Sequence, residues 1–131
     1  MRRLALSALL LGTCWITHAN DELYTARFAA CMDQAGGVTV EMLDCIGEEL
    51  NTQDARLNGA YQKLMSQLSA ERKTALQGAQ RLWIQYRDAN CDFYNDPDGG
   101  TLDRVFANDC LLRETAQRAK ELENLAEYFS Q

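Results

Sequence analysis

Histidine and serine, on which much enzyme chemistry depends, are nearly absent from this sequence of 131 residues. The single histidine, His18, lies in an N-terminal segment that we expect to be removed, which leaves no imidazole to act as a base or a metal ligand. The serines after that segment are Ser66, Ser69 and Ser130. They lie at predicted helix ends or at the C-terminus, not in the strand-to-helix turn of a serine nucleophile. We therefore predict that the protein is not an enzyme and uses no cofactor.

The acidic residues also lack the arrangement of a catalytic pair. Glu48 and Glu49 are neighbours in sequence, so their side chains point in different directions on a helix, whereas the carboxyl groups of a glycosidase face each other across a cleft. The same reasoning assigns the other helical glutamates to the solvent. Solvated faces are predicted for Glu48, Glu49, Glu121, Glu123 and Glu127.

Proline is scarce as well, since Pro97 is the only one, so little interrupts the predicted helices. A short first helix ends at Gly36-Gly37, and a second begins with Thr39 as its N-cap. The third helix begins with Ser69 as its N-cap and runs to about Asn90. The capping residues and the glycine helix end are therefore those of a helical protein.

The second helix passes through Asn58-Gly59, a hairpin signal when strands flank it. No alternation of polar and apolar residues flanks it here, so we predict helix throughout, with a kink near Asn51 as an alternative. The last helix follows the turn-rich segment "CDFYNDPDGG", and Thr101 is its predicted N-cap. Apolar stripes mark the buried faces: Leu43, Ile46, Leu50, Leu57, Tyr61, Leu64 and Leu68 in the second helix, and Leu102, Val105 or Phe106, Cys110, Leu111, Thr115, Arg118, Leu122, Leu125 and Phe129 in the last. The predicted fold class is all-α, a small bundle of three to four helices stapled by two disulfides.

The first 19 residues have the layout of a secretory signal peptide. Arg2 and Arg3 precede an apolar run that ends at Leu11, and small residues surround Ala19, after which we place cleavage. A lipoprotein is the less favoured alternative, because Thr13 stands before Cys14 where a lipobox has glycine or alanine. Residues 20–131 are then expected to form one helical domain in the bacterial periplasm or outside the cell.

Positive charge is in short supply. All 19 acidic residues follow Ala19 while two of the 13 basic ones precede it, so the exported chain has a net charge of −8. Such a chain repels nucleic acid and anionic membranes and attracts a basic protein partner. No apolar run in residues 20–131 is long enough to span a membrane.

Four cysteines remain after Cys14 is removed with the leader. An even number in an exported chain indicates disulfides, and four cysteines allow three connectivities. We favour Cys31–Cys45 and Cys91–Cys110, because each pair would join the ends of adjacent elements. A zinc site is the rival interpretation, but the cysteine spacing does not fit one and no histidine is present. No metal is predicted.

The segment "QRLWIQYRDANC" crowds aromatic and charged residues before Cys91. Positions Leu76, Ala79, Trp83 and Tyr86 advance by threes and fours, so we predict that Trp83 and Tyr86 face the core, with Trp83 at the centre of the bundle. Arg87, one turn after Trp83, can stack on its ring and pair with a carboxylate, for which Asp54 is the candidate. This segment is therefore predicted to be structural.

The segment from Cys91 to Cys110 carries the one functional hypothesis drawn from the residues themselves. It gathers several carboxylates with two aromatic rings, which indicates a protrusion that meets a basic partner. The predicted contact residues are Asp92, Phe93, Tyr94, Asp96 and Asp98. A polar helix connection with its aromatic rings tucked into the core is an equal alternative, and a calcium loop fits poorly because Tyr94 and Val105 would occupy ligand positions.

As an ordered set, these residues resemble the LprI-like lysozyme inhibitor N-terminal domain family over about residues 31 to 125. The matching features are Cys45; Asp54, Leu57, Asn58 and Tyr61 in "DARLNGAYQKLM"; Gln80, Trp83, Tyr86, Arg87 and Cys91 in "LQGAQRLWIQYRDANC"; the "GGT" at 99–101; Cys110; and Thr115 to Arg118 with Leu122. The resemblance implies a small, disulfide-stapled helical domain at the bacterial envelope. It also implies inhibition of lysozyme, although no inhibitory residue can be carried over.

Two functions follow from these observations. The first is a non-enzymatic inhibitor or binding protein whose target is a lysozyme-like muramidase, which is typically a strongly basic protein. The alternative is a periplasmic structural or assembly protein that binds another envelope protein. An exposed apolar patch beside residues 91–103 would favour a dedicated protein interface.

Overall fold

The computed structural model describes residues 23–131, so the predicted leader, its cleavage site and Cys14 lie outside them. Four helices account for most of this part of the chain: α1 (Ala26–Ala35), α2 (Thr39–Gln67), α3 (Ala70–Asp92) and α4 (Thr101–Phe129). No strand occurs among the described residues. The all-α prediction is confirmed.

Helix boundaries follow local capping chemistry. Thr25 caps α1 by accepting a hydrogen bond from the backbone N–H of Phe28, and Ser69 caps α3 by accepting from the N–H of Arg72. At the end of α1, Gly36 and Gly37 have φ values of 54° and 87°, which residues with a side chain rarely adopt. The predicted end at Gly36-Gly37 and the predicted Ser69 cap are confirmed, whereas the Thr25 cap was not predicted.

Two predicted caps are displaced by one residue. Val38 and Gly100 occupy the N-cap positions of α2 and α4, and neither offers a side-chain hydrogen bond. Thr39 and Thr101 are instead the first helical residues. The sequence alone does not show whether a threonine is the N-cap or the first helical residue, because the two positions differ only in backbone conformation.

The principal contact of the fold is between α2 and α4, which run parallel. Ile46 near the start of α2 packs with Val105 and Leu112 of α4, and residues near the end of α2 pack with residues near the end of α4. This second cluster consists of Leu57, Ala60, Leu64, Ala119, Leu122 and Ala126. Helix α2 is continuous from Thr39 to Gln67, as predicted.

Alanine side chains let the two long helices approach closely. Ala116, Ala119 and Ala126 of α4 have no exposed surface, and Ala60 of α2 is 7% exposed. Small side chains shorten the distance between helix axes, so that the flanking leucines interdigitate. The α2–α4 pair is therefore the core to which the other helices attach.

Helix α3 runs antiparallel to this pair and is attached through a partly polar face. Its half-buried Leu76 and Trp83 pack on the second cluster, and Cys91 is its only fully buried residue. Tyr86, predicted to face the core, is 58% exposed, so that prediction is wrong. The face directed at α4 instead passes through Leu76, Gln80, Trp83 and Arg87, and it is rotated from the stripe inferred from the apolar residues.

Both predicted disulfides are present. Cys31–Cys45 joins α1 to α2, and Cys91–Cys110 joins the end of α3 to α4. Their positions complement the packing, because α1 and α3 each bury only one residue completely. A covalent link reduces the freedom of the unfolded chain and so stabilises elements that have a small core of their own.

A buried carboxylate holds the segment before α1 against α2. Glu49, predicted to be solvated, is 4% exposed, so that prediction is wrong. Its oxygens accept from the backbone N–H of Thr25 at 2.9 Å, from the Thr25 hydroxyl at 2.6 Å and from Gln53 at 2.7 Å. Burial raises the pKa of Glu49, but these hydrogen bonds favour the ionised form more strongly, so the pKa is lowered overall.

Arg56 extends this network to α4. Its Nε and Nη2 each lie 2.6 Å from an oxygen of Glu123, and its Nη1 donates to the carbonyl oxygen of Leu23 at 3.3 Å. The paired guanidinium lowers the pKa of the Glu123 carboxyl. Glu123 was predicted to lie on a solvated face, but it is half-buried and committed to this pair.

We expect Glu49→Gln to lower the free energy of unfolding by about 2 kcal/mol at pH 7, because charge-assisted hydrogen bonds to a buried group are lost. The lowered pKa means that the stabilisation is present above the ordinary value of 4.5 and is lost as the pH falls through the folded-state value. The difference between the variant and the parent should therefore shrink in acid. Denaturant titrations at several pH values measure it.

Glu48→Gln is the matched control for this experiment. Glu48 is exposed and pairs with the exposed Arg27, so its loss should change stability by less than about 1 kcal/mol. Equal effects of the two substitutions would show that the Glu49 hydrogen bonds do not stabilise the fold.

Candidate functional site

The five residues predicted to contact a partner lie at the end of α3 and in the connection that follows it. We call this set, Asp92, Phe93, Tyr94, Asp96 and Asp98, the loop surface. All five are exposed, Phe93 by 84% and Tyr94 by 42%, and the two rings meet edge to face with centroids 5.7 Å apart. The alternative in which these rings are tucked into the core is therefore wrong.

Local hydrogen bonds shape the turn that carries the loop surface. The Asp96 side chain accepts from the backbone N–H of Asp98 at 2.9 Å, and the Asp96 carbonyl accepts from the N–H of Gly99 at 3.1 Å. A Cβ at Gly99 would lie 1.6 Å from a carboxylate oxygen of Asp103, so a larger residue there would displace the Asp103 side chain. The disulfide from Cys91 to Cys110 closes the segment, so its exposed side chains are presented from a restrained backbone.

Further apolar groups lie at the same end of the bundle. Leu102 and Phe106, one turn apart on α4, are 50% and 51% exposed, whereas Val105 between them is buried. The predicted place of Leu102 in the core stripe is therefore wrong, and the choice between Val105 and Phe106 falls to Val105. The loop surface thus has exposed apolar neighbours, the feature that favours a protein interface.

A cavity of about 470 Å³ opens beside the loop surface. Its lining combines apolar groups of α2 and α4 with charged groups of α3 and α4: Leu43, Asp88, Cys91, Asp92, Asn95, Arg104, Ala107, Asn108 and Leu111. Asp92 belongs both to this cavity and to the loop surface, so the two form one continuous region. Within residues 23–131, no group of three or more histidine, cysteine or acidic side chains is placed to hold a metal ion.

Trp83 is half-buried at the edge of the bundle and not at its centre as predicted. The guanidinium of Arg87 lies 5.1 Å from the ring centroid and that of Arg118 lies 5.9 Å from it. The predicted partner of Arg87, Asp54, is wrong: the guanidinium bonds to the adjacent Asp88 at 2.8 Å. The adjacent Asp88 can reach the Arg87 guanidinium whatever the distance between α2 and α3, whereas Asp54 could reach it only if the two helices lay close together.

Arg118 and Thr115 of α4 complete the attachment of α3. Thr115 has no exposed surface, and its hydroxyl oxygen accepts from Arg87 at 3.4 Å. Arg118 donates from Nε to Gln80 at 3.0 Å and from Nη1 to Glu121 at 2.7 Å. Helices α3 and α4 are therefore joined largely by polar contacts around Trp83.

The remaining motif residues line a second cavity, also of about 470 Å³, between α2 and α3. We call it the α2–α3 cavity, and its lining residues are Asp54, Leu57, Asn58, Tyr61, Gln77, Gln80, Arg81, Trp83, Ile84 and Arg87. Sequence reasoning assigned the motif positions among them to the structure of the bundle and missed the cavity. The spacing of Asp54, Asn58 and Tyr61 by four and three was a usable signal, because it puts them on one side of α2, beside the buried Leu57.

No helix within residues 23–131 combines the length and the apolar character that a membrane crossing requires.

The family model described as lysozyme inhibitor LprI matches residues 31–122. An uncharacterized protein of Rhizobium meliloti (strain 1021) is 27% identical over 139 residues, which cover 95% of this chain and 96% of that protein. No solved structure matches.

Two aromatic substitutions test the rotated face of α3. We expect Trp83→Ala to lower the free energy of unfolding by about 2 kcal/mol, less than for a fully buried tryptophan, because the ring is only half-buried. Tyr86→Ala should change it by less than about 0.5 kcal/mol, because Tyr86 is exposed. Denaturant unfolding of both variants gives the comparison, and a larger loss for Tyr86→Ala would contradict the described packing of α3.

Proposed function

This chain belongs to the lysozyme inhibitor LprI family, and from that premise we propose that it is an exported, non-enzymatic inhibitor of lysozyme-like muramidases. The loop surface is the proposed contact. A surface of carboxylates and aromatic rings inhibits an enzyme by covering part of it, without any chemical step. The proposal therefore assigns contact residues and no catalytic ones.

The observation that carries this proposal is the exposure of Phe93. A phenylalanine side chain that is 84% exposed has no role in the core of this molecule. Aromatic side chains that become buried on binding contribute most of the energy of many protein interfaces. Phe93 and Tyr94 sit on a disulfide-closed segment, so little conformational entropy is lost when a partner covers them.

Charge supports the choice of a basic partner. Asp92, Asp96 and Asp98 surround the two rings and are exposed. The exported chain as a whole has a net charge of −8 if cleavage follows Ala19. Opposite charges speed the encounter of two proteins and orient them, and added salt weakens the effect. Muramidases of the lysozyme type are typically basic, so they have the required sign.

Export is part of the proposal. The two disulfides are typical of a protein that folds in an oxidising compartment, and the first 19 residues have the composition of a secretory leader. A periplasmic or secreted location would also bring the protein to the compartment in which muramidases attack the cell wall. Lipidation at Cys14 remains the less favoured alternative.

The first experiment measures binding and inhibition of a basic lysozyme by the oxidised protein recovered after export, from low to physiological salt. We expect saturable inhibition, with a dissociation constant that rises as salt is added. Absence of binding at low salt would contradict the proposal and favour the alternative, a periplasmic structural or assembly protein with another envelope partner.

The double substitution Asp96→Asn and Asp98→Asn tests the contact surface. Asparagine can still accept the hydrogen bond that shapes the turn, so only the charge is removed. We expect association with lysozyme to slow by about three- to tenfold at low salt, and by less at physiological salt. Stopped-flow or surface binding kinetics give the rates.

The matched control is Glu41→Gln with Asp44→Asn. These residues are exposed on α2 outside the loop surface, and their substitution changes the net charge by the same amount. Equal slowing by the two double variants would mean that only the net charge matters and that the loop surface is not the contact.

A further inference from the structure

The α2–α3 cavity lies between α2 and α3, which both pack on α4 and whose backbones stay apart along most of their length. It is therefore an open space between two helix walls, with a volume of about 470 Å³. A volume of this size falls in the range of small-molecule sites in proteins. The muramidase proposal makes no use of this region.

Five side-chain groups on the walls are available for hydrogen bonding to a ligand. None of them forms a hydrogen bond with another residue in the described part of the chain. They are the carboxylate of Asp54, the amides of Asn58 and Gln77, the hydroxyl of Tyr61 and the indole N–H of Trp83. Asn58, Gln77 and Tyr61 can each donate and accept, so the walls offer both kinds of hydrogen bond.

The charges of the cavity balance, in contrast to the acidic chain around them. Asp54 contributes one negative charge and Arg81 one positive charge, and the guanidinium of Arg87 is paired with Asp88. A strongly charged ligand would find no excess of the opposite sign here. The lining therefore suits a neutral ligand.

We propose that the α2–α3 cavity binds a neutral oligosaccharide. Sugar hydroxyls donate and accept hydrogen bonds, as the free amides and the Tyr61 hydroxyl do, and the C–H face of a sugar ring packs against apolar surface such as Trp83 and Ile84. A peptide fits less well, because helix walls offer no strand edge and this lining is too polar for the apolar face of a helical peptide. The inference does not depend on muramidase binding.

Contacts with α4 and with neighbouring lining residues hold the aromatic wall of the cavity in place. The Trp83 ring is flanked by the guanidinium groups of Arg87 and Arg118, which are themselves bonded to Thr115 and Gln80. A side chain held in this way loses little freedom when a ligand binds. The part of the indole that borders the cavity is therefore fixed before a ligand binds.

Trp83 also provides the measurement, because the only other tryptophan, Trp15, lies in the predicted leader. The exported protein is titrated with three probes while tryptophan emission is recorded: the β-1,4-linked trimer of N-acetylglucosamine, maltotriose and trialanine. We expect a saturable change with at least one trisaccharide and none with trialanine. Trp83→Phe has no tryptophan after export and serves as the blank for emission from the probes themselves.

The double variant Asn58→Ala and Gln77→Ala should raise the half-saturating sugar concentration about tenfold, since two hydrogen-bonding groups are lost. Both residues are exposed, so the fold should tolerate their loss. The matched control, Gln85→Ala with Asn124→Ala, removes the same side chains from exposed positions outside the cavity and should leave the titration unchanged.

Three results would overturn the inference. One is no saturable change with either trisaccharide, and another is a response to trialanine alone. The third is an equal loss of sugar response in the control variant. Lysozyme binding is measured separately, so failure of this inference and failure of the muramidase proposal would be told apart.

Discussion

The close parallel packing of α2 against α4 is the contact on which the rest of the structure depends. It buries the two apolar clusters, and the fully buried alanines of α4 bring the helix axes near enough for the leucines to interlock. The other two helices contribute few fully buried residues of their own. Each is attached to this pair by one disulfide, by half-buried apolar side chains and by polar contacts, so their placement depends on α2 and α4.

This division explains which features could be predicted. Helix number, the end of α1 at Gly36-Gly37, the Ser69 cap and both disulfides follow from local chemistry and chain connectivity, and the structure agrees with them. The helix signals lie within a few residues of the ends that they specify, and the disulfide pairing follows from the order of the cysteines along the chain. They need no knowledge of which helix packs on which.

The errors arise where tertiary context overrides the apolar pattern. Glu49 and Gln53 occupy buried positions of α2, although a search for apolar faces assigns polar residues to the solvent. They are tolerated there because Thr25, 24 residues before Glu49, and Arg56, one turn after Gln53, supply hydrogen-bond partners. In α3 the apolar pattern selects Tyr86, but polar anchoring at Gln80 and Arg87 turns that residue outward. The α2–α3 cavity was missed for the same reason, since its polar lining has no counterpart in a search for apolar faces.

The parallel course of α2 and α4 also has an electrostatic consequence. Each helix of 29 residues carries a dipole with about half an elementary charge at either end, and both N-termini lie at the end of the bundle that holds the loop surface. Antiparallel α3 offsets only one of them. The positive N-terminal end of one long helix therefore remains uncompensated and partly offsets the negative charge of the loop carboxylates. The electric field outside the loop surface is weaker than the formal charges alone would give. At the opposite pole, where neither long helix has a basic residue in its last turn, the C-terminal ends of these dipoles contribute negative potential.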